Sequence, residues 1–191
     1  MPTPQKTIYI HFFDGIDRTK VNKFIQFTVN AIDQHNPTEI YYFISSNGGD
    51  VDSGFTLYNF LVSLQSKMTI TMHNTGTIDS IANVIFVAGQ KRYAAPNSSF
   101  LYHGIVMNFK AGGYGTTFLK ENLSRLDGME TRMAETISKN SKLTKEELKE
   151  FFQQGEGKDV KFALSKDVIH EIKIPSIPKG AIHLAMSFVS D

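Results

Sequence analysis

The chain has 191 residues, 41% of them hydrophobic, which suffices for one buried core and makes a single domain over residues 1–191 the expectation. Its 20 basic and 19 acidic residues leave a formal net charge of +1, so neither nucleic acid nor an anionic membrane surface is an expected partner. Cysteine is absent, which excludes disulfides, thiolate metal sites and cysteine nucleophiles. No segment approaches the roughly 20 apolar residues of a membrane span, and the N-terminal MPTPQKTIYIHFFDG lacks the apolar run of a secretory signal. A soluble cytoplasmic protein without a cofactor is expected.

Thr7 to Phe13 (TIYIHFF) is β-branched and aromatic, which predicts a strand, and DGID follows as a turn. From Thr19 to about Asp33, Val21, Phe24, Ile25, Thr28, Val29 and Ile32 recur every three or four residues, predicting a helix that His35-Asn36-Pro37 ends. Glu39 to Ser45 (EIYYFIS) is a continuous apolar strand of the kind buried on both faces in a parallel sheet. The loop SSNGGDVDSG leads to a helix carrying Phe55, Leu57, Tyr58, Phe60, Leu61 and Leu64, then to a third strand over Met68 to Asn74. This β-α-β-α-β order predicts right-handed crossovers and a parallel sheet. Ser80 to Ala88 reads as a short apolar helix, AGQKRYAAPNSS as a turn-rich connection and SFLYHGI as a further strand. Lys110 to Tyr114 (KAGGY) is an expected loop, followed by a long helix from about Thr116 to Asn140 and a capping box at Thr144 that opens another. The tail from Ile174, IPSIPKGAIHLAMSFVSD, is expected to be irregular because of its early prolines.

Three places carry candidate chemistry, and each has an ordinary structural reading beside it. Gly48-Gly49 after a buried strand permits a sharp turn that presents bare N–H groups, either as an oxyanion site or as a plain strand-to-helix turn. Ser80 stands where a strand passes into a helix, either as a nucleophile or, with Asp79, as a helix cap. His103 closes the strand SFLYH, as a general base or as one of six structural histidines.

Taken together, IYYFISSNGGDVDSG and TGTIDSIANVIFVAGQKRYAAPNSSFLYHG resemble the proteolytic subunit of the Clp protease family. The counterparts are Ser46-Asn47-Gly48-Gly49, Gly76 to Ser80, Ala88-Gly89, Arg92, Pro96-Asn97-Ser98 and His103, in matching order and spacing from about Thr7 to Gly104 and more loosely to Ile172. The resemblance implies an α/β fold of the Clp-protease and crotonase kind, with a parallel sheet of repeated β-β-α units and a C-terminal helical extension. It implies Ser80 as nucleophile, His103 as base and the backbone N–H groups of Gly49 and Ile81 as oxyanion hole, in a serine endopeptidase acting on peptides or unfolded proteins. It further implies a self-compartmentalised homo-oligomeric ring, with the long helix as its handle.

The chain departs from that pattern in places. Aligning Ala163 and the strand VIHEI with the family puts Gly155 at the position of the triad acid, so Glu156 is the first candidate for that role and Asp159 the second. Asp79 replaces a small residue before the nucleophile, where a carboxylate would favour the charged form of His103 or obstruct substrate. Little chain precedes the first strand, which leaves an unfoldase ATPase partner open. Met129, Met133 and Phe118 on the long helix are core residues or subunit anchors. Three other functions remain to be weighed: a non-catalytic assembly module, a serine–lysine peptidase with Lys120 as base, and a crotonase-like acyl-CoA enzyme that uses the fold without a serine nucleophile.

Overall fold

The structure is a computed structural model that describes residues 6–186. Strand β1 (Thr7–Phe13) runs into helix α1 (Arg18–His35), strand β2 (Glu39–Ser46), helix α2 (Val51–Leu64) and strand β3 (Thr69–Asp79). Asp17 caps α1 by accepting from Lys20 N at 2.8 Å, and the helix ends where Asn36 turns left-handed at φ 43°, just before Pro37. β1, β2 and β3 pair in parallel, with Thr7 opposite Glu39 and Glu39 opposite Thr69. Alternate residues of these strands separate two faces. Ile10, Phe12, Tyr42, Ile44 and Met72 enter the main core, where Phe24 of α1 packs its ring 5.3 Å from Phe12 and 5.1 Å from Tyr42.

Helix α3 (Ala82–Phe86) is followed by two short strands, β4 (Lys91–Ala94) and β5 (Ser99–Leu101). Both pair in parallel with β3, β4 beside Thr71–Asn74 and β5 beside Thr77–Asp79. The exchange of partner falls at an irregularity. Ile44 lies opposite Asn74, but Ser46 lies opposite Ile78, so three residues of β3 span one of β2. Asn74 satisfies that break, accepting from Gly76 N at 3.0 Å and donating to Ser99 O at 2.8 Å.

The remaining elements are the long helix α4 (Thr116–Lys139), α5 (Lys145–Gln154), β6 (Gly157–Asp159), α6 (Val160–Ser165), β7 (Glu171–Ile172) and β8 (Ile182–Ala185). α5 opens with the expected capping box between Thr144 and Glu147. Met133, Ala134 and Ile137 are the buried residues of α4; Met129 packs partly buried against the core, and Phe118 is exposed. The buried Arg92 closes this half of the chain. Its guanidinium donates to the carbonyls of Val168 (2.7 Å), Gly89 (2.9 Å), Asn140 (2.8 Å) and Asp167 (2.8 Å), tying α3, α4 and α6 to one point.

Several expectations need correction. The third strand reaches Asp79 rather than Asn74, and α3 starts at Ala82 rather than Ser80. The connection after Gly89 contains β4, and the strand expected from Ser99 to Ile105 ends at Leu101. β6 pairs antiparallel with β5, so the sheet is mixed. The tail is not irregular throughout, because Ile182–Ala185 pairs in parallel with β1; its last five residues lie outside those described. Among the described residues no helix is long and apolar enough to cross a membrane.

The chain between β7 and β8 crosses the aromatic face of the sheet. There the fully buried His73 has a defined tautomer. A carbonyl only accepts, so Nε2–H donates to Lys173 O at 3.0 Å, leaving Nδ1 to accept from the Tyr41 hydroxyl at 2.7 Å. Burial pushes this imidazole from its ordinary 6.5 down to about 4. Below pH 6.5 the unfolded chain therefore takes up a proton that the folded chain refuses. His73 is expected to make stability fall by up to about 1.4 kcal/mol per pH unit as pH drops from about 6.5 to about 4. Denaturant midpoints measured across this range should show that slope, and His73→Gln should remove its share.

Candidate active site

The carboxyl ends of three adjacent parallel strands, β2, β3 and β5, lie side by side at one end of the sheet. The register sets Ser46 opposite Ile78 and Asp79 opposite Leu101. The chain beyond β2 therefore supplies Gly48 and Gly49, the chain beyond β3 supplies Ser80, and the chain beyond β5 supplies His103. Carboxyl ends of parallel strands are where α/β folds present ligand-binding and reactive groups.

Ser80 holds a left-handed backbone at φ 56°, unusual for a residue with a side chain. Its N–H donates to Leu101 O at 2.9 Å, and its carbonyl accepts from Asn83 N at 3.1 Å. The Asn83 side chain then binds the whole turn. Nδ2 lies 3.2 Å from Ile78 O, 3.1 Å from Ser80 O and 2.9 Å from Leu101 O. Its Oδ1 is buried without a partner among the described residues, so the position serves as a donor at the expense of an unmet acceptor. Nothing in the motif around Ser80 indicated this residue. The one signal for it was a polar side chain inside the apolar run SIANVIFVA.

The Gly48-Gly49 loop lies directly against this turn. Ile16, beyond β1, clamps it: Ile16 N donates to Gly48 O and Asp50 N donates to Ile16 O, each at 2.8 Å. Gly48 has φ 80°, and a Cβ there would lie 2.7 Å from both Asp79 O and Ser80 Cβ. Gly49 has φ 146°, and its Cβ would meet Ile16 O at 2.1 Å. The N–H groups of Gly49 and Ile81 have no acceptor among the described residues. Two free amides beside a serine held at a tight turn form an arrangement suited to a developing oxyanion.

His103 is half-buried, and its Nδ1 lies 2.7 Å from Gly104 O. The proton therefore sits on Nδ1, and Nε2 carries the free lone pair. No hydrogen bond joins His103 to Ser80 among the described residues. The antiparallel β5–β6 pairing ends with Leu101 opposite Gly157, and Gly155 ends α5 two residues before β6. Glu156 is exposed there and pairs with Lys158 at 2.8 Å; Asp159 accepts from Phe162 N at 2.8 Å and caps α6. Asp79 accepts a short hydrogen bond from the Thr77 hydroxyl. Lys120 is exposed on α4. The carboxylate closest along the chain of hydrogen bonds from His103 is Glu130, which accepts from Ile105 N at 2.9 Å. Sequence reasoning missed it, because no local motif marks one glutamate on a long polar helix.

The fold and this convergence of strand ends define a Clp-protease-like α/β protein. The sequence profile of the Clp protease family matches residues 5–172, and the chain belongs to that family. It is 31% identical over 84 residues to an ATP-dependent Clp protease proteolytic subunit 2 of Borreliella burgdorferi, covering 43% of this chain and 40% of the relative. It is 25% identical over 126 residues to an ATP-dependent Clp protease proteolytic subunit of Bigelowiella natans, covering 65% of this chain and 64% of the relative. These matches thus span less than two thirds of each relative's own length. A solved structure of a ClpP1 mutant from Listeria monocytogenes superposes with a TM-score of 0.73 over 88% of this chain and 91% of the other, at 20% identity.

The contact between Gly48 and Ser80 leads to a test. Gly48→Ala must relieve two 2.7 Å approaches and adopt a left-handed backbone, which together should cost at least about 2 kcal/mol. Chemical denaturation of the variant against the parent chain measures the loss.

Proposed function

We propose that the chain is a serine endopeptidase that hydrolyses peptide bonds of peptides or unfolded proteins, with Ser80 as nucleophile and His103 as general base. The observation that carries this reading is the meeting of three strand ends, which sets a left-handed Ser80 between two free backbone amides and the end of β5. In the first step Nε2 of His103 takes the Ser80 hydroxyl proton as Oγ attacks the substrate carbonyl, and the N–H groups of Gly49 and Ile81 receive the oxyanion. The imidazolium then protonates the leaving amine, and water releases the acyl group by the same steps in reverse. Catalytic hydrogen bonds tighten when substrate binds, so the open Ser80–His103 geometry is compatible with this sequence.

Assembly into a homo-oligomer belongs to the same reading. Val106, Phe109, Tyr114, Phe118, Leu119 and Leu123 expose apolar surface over the loop before α4 and its first turns, with the rings of Phe109, Tyr114 and Phe118 packed on one another. An exposed apolar patch of this kind is a surface for a partner, and a second copy of this chain is the simplest one. The chemistry of the site asks for no cofactor. The relatives are ATP-dependent Clp protease proteolytic subunits by name, and an unfoldase ATPase partner is one reading of that for this chain.

A fluorophosphonate probe should label Ser80 in the parent chain, and His103→Ala should abolish labelling; mass spectrometry of the labelled peptide reads both. Labelling that persists in His103→Ala would remove the histidine from the mechanism. An unlabelled Ser80 in the assembled particle would favour the non-catalytic assembly module.

A further inference from the structure

The hydrogen bonds around His103 meet on one peptide group. Its Nδ1–H donates to the carbonyl of Gly104 at 2.7 Å, and the N–H of that same peptide unit, belonging to Ile105, donates to Oε1 of Glu130 at 2.9 Å. We propose that Glu130, on α4, is a positioning residue for His103 that acts through the Gly104–Ile105 peptide group. The inference rests on the reading of Ser80 and His103 as nucleophile and base.

A carboxylate that accepts from an amide N–H draws electron density along the conjugated O=C–N–H unit toward its oxygen. A hydrogen bond received at that oxygen is thereby strengthened. The bond so strengthened here is the one that holds the imidazole ring and keeps its proton on Nδ1, the task a buried aspartate performs in a serine–histidine–aspartate site. The backbone is built for the close approach. Gly104 N donates to Phe152 O at 2.7 Å, so α5 grips the peptide on one side while Glu130 grips it on the other. A Cβ on Gly104 would lie 3.0 Å from Glu130 Oε1 and 3.1 Å from Phe152 O, so any larger residue would press both partners back by a few tenths of an ångström. The other nearby carboxylates are engaged elsewhere: Glu156 with Lys158, Asp159 with Phe162 N, and Asp79 with Thr77.

The experiment compares Glu130→Leu, which removes the acceptor, with Glu130→Gln, which keeps a neutral one, and with Glu156→Gln. Two readouts are taken on the full chain: kcat and KM for a fluorogenic peptide alongside the Ser80 labelling rate, and the His103 Nδ1 proton in the NMR spectrum. Glu130→Gln is expected to lower kcat about tenfold and Glu130→Leu about a hundredfold, within the range that a general base contributes. KM should stay within about twofold, because the substrate contacts are untouched. The His103 Nδ1 proton should move upfield and exchange faster with water in the same order, while Glu156→Gln leaves both readouts near the parent values. Parent-like kcat and an unmoved Nδ1 proton in both Glu130 variants overturn the proposal, as does a loss of activity confined to Glu156→Gln. Because Glu130→Gln is nearly isosteric, it keeps the test decisive if Glu130→Leu does not fold. If the Nδ1 proton responds to Glu130 while Ser80 never labels, the relay stands as a structural element and the peptidase reading falls.

Discussion

The turn at Ser80 is the constraint on which the rest of the site depends. A non-glycine residue at φ 56° carries a backbone cost of about 1–2 kcal/mol, and it persists because the surroundings determine it several times over. Asn83 supplies most of that determination, with one amide nitrogen reaching carbonyls at the end of β3, in the turn itself and at the end of β5. Two of these carbonyls also accept backbone N–H groups, Leu101 O from Ser80 and Ser80 O from Asn83, so the side chain adds a second hold on bonds that already fix the turn. The strained turn and the polar residue inside an apolar helix are therefore one device. It binds the strand that ends at the serine to the strand that leads to the histidine.

The irregularity in β3 explains how both strands come to lie beside it. A regular β3 would keep β4 as its neighbour along its length, and the segment after Leu101 would end elsewhere. By passing three residues against one of β2, β3 changes register, releases β4 at Asn74 and takes up β5 at Thr77. The same shift sets Ile78 beside Ser46, which aligns the Gly48-Gly49 loop with Ser80. Sheet geometry thus performs the positioning that long-range side-chain contacts would otherwise have to perform.

This division accounts for what could be read from the residues before the fold was known. Gly48-Gly49, Ser80 and His103 were visible because each marks the end of a strand, and strand ends carry turn residues that stand out from apolar runs. The capped helices were legible for a similar local reason, Thr144 with Glu147 and Asn36 before Pro37. β4 was hidden because KRYA is four residues long, half charged and set among Gly, Pro and Ser; its parallel partners β3 and β7 make it a strand. β8 was hidden behind prolines, and it forms because the open edge of β1 offers a free ladder. α3 was read as too long because Ser80 and Ile81 belong to the turn that precedes it. Asn83 and Glu130 lay beyond local reasoning, since their partners are set by folding rather than by spacing.

A further consequence follows from how few side chains the candidate site uses. In the proposed reading Gly48, Gly49, Ile81 and Gly104 contribute backbone atoms, and Ser80, His103, Asn83 and Glu130 contribute side chains. Backbone groups are insensitive to the identity of their residues provided the local conformation is kept, so a fold can retain such a site while its sequence drifts. The orienting carboxylate is the member freest to move. Its task is to hold one N–H direction on the imidazole, and any acceptor of suitable geometry does so. A peptide carbonyl whose own N–H is anchored by Glu130 meets that requirement, so a helix-ending glycine at residue 155, where the alignment expects the acid, does not by itself leave the imidazole unheld.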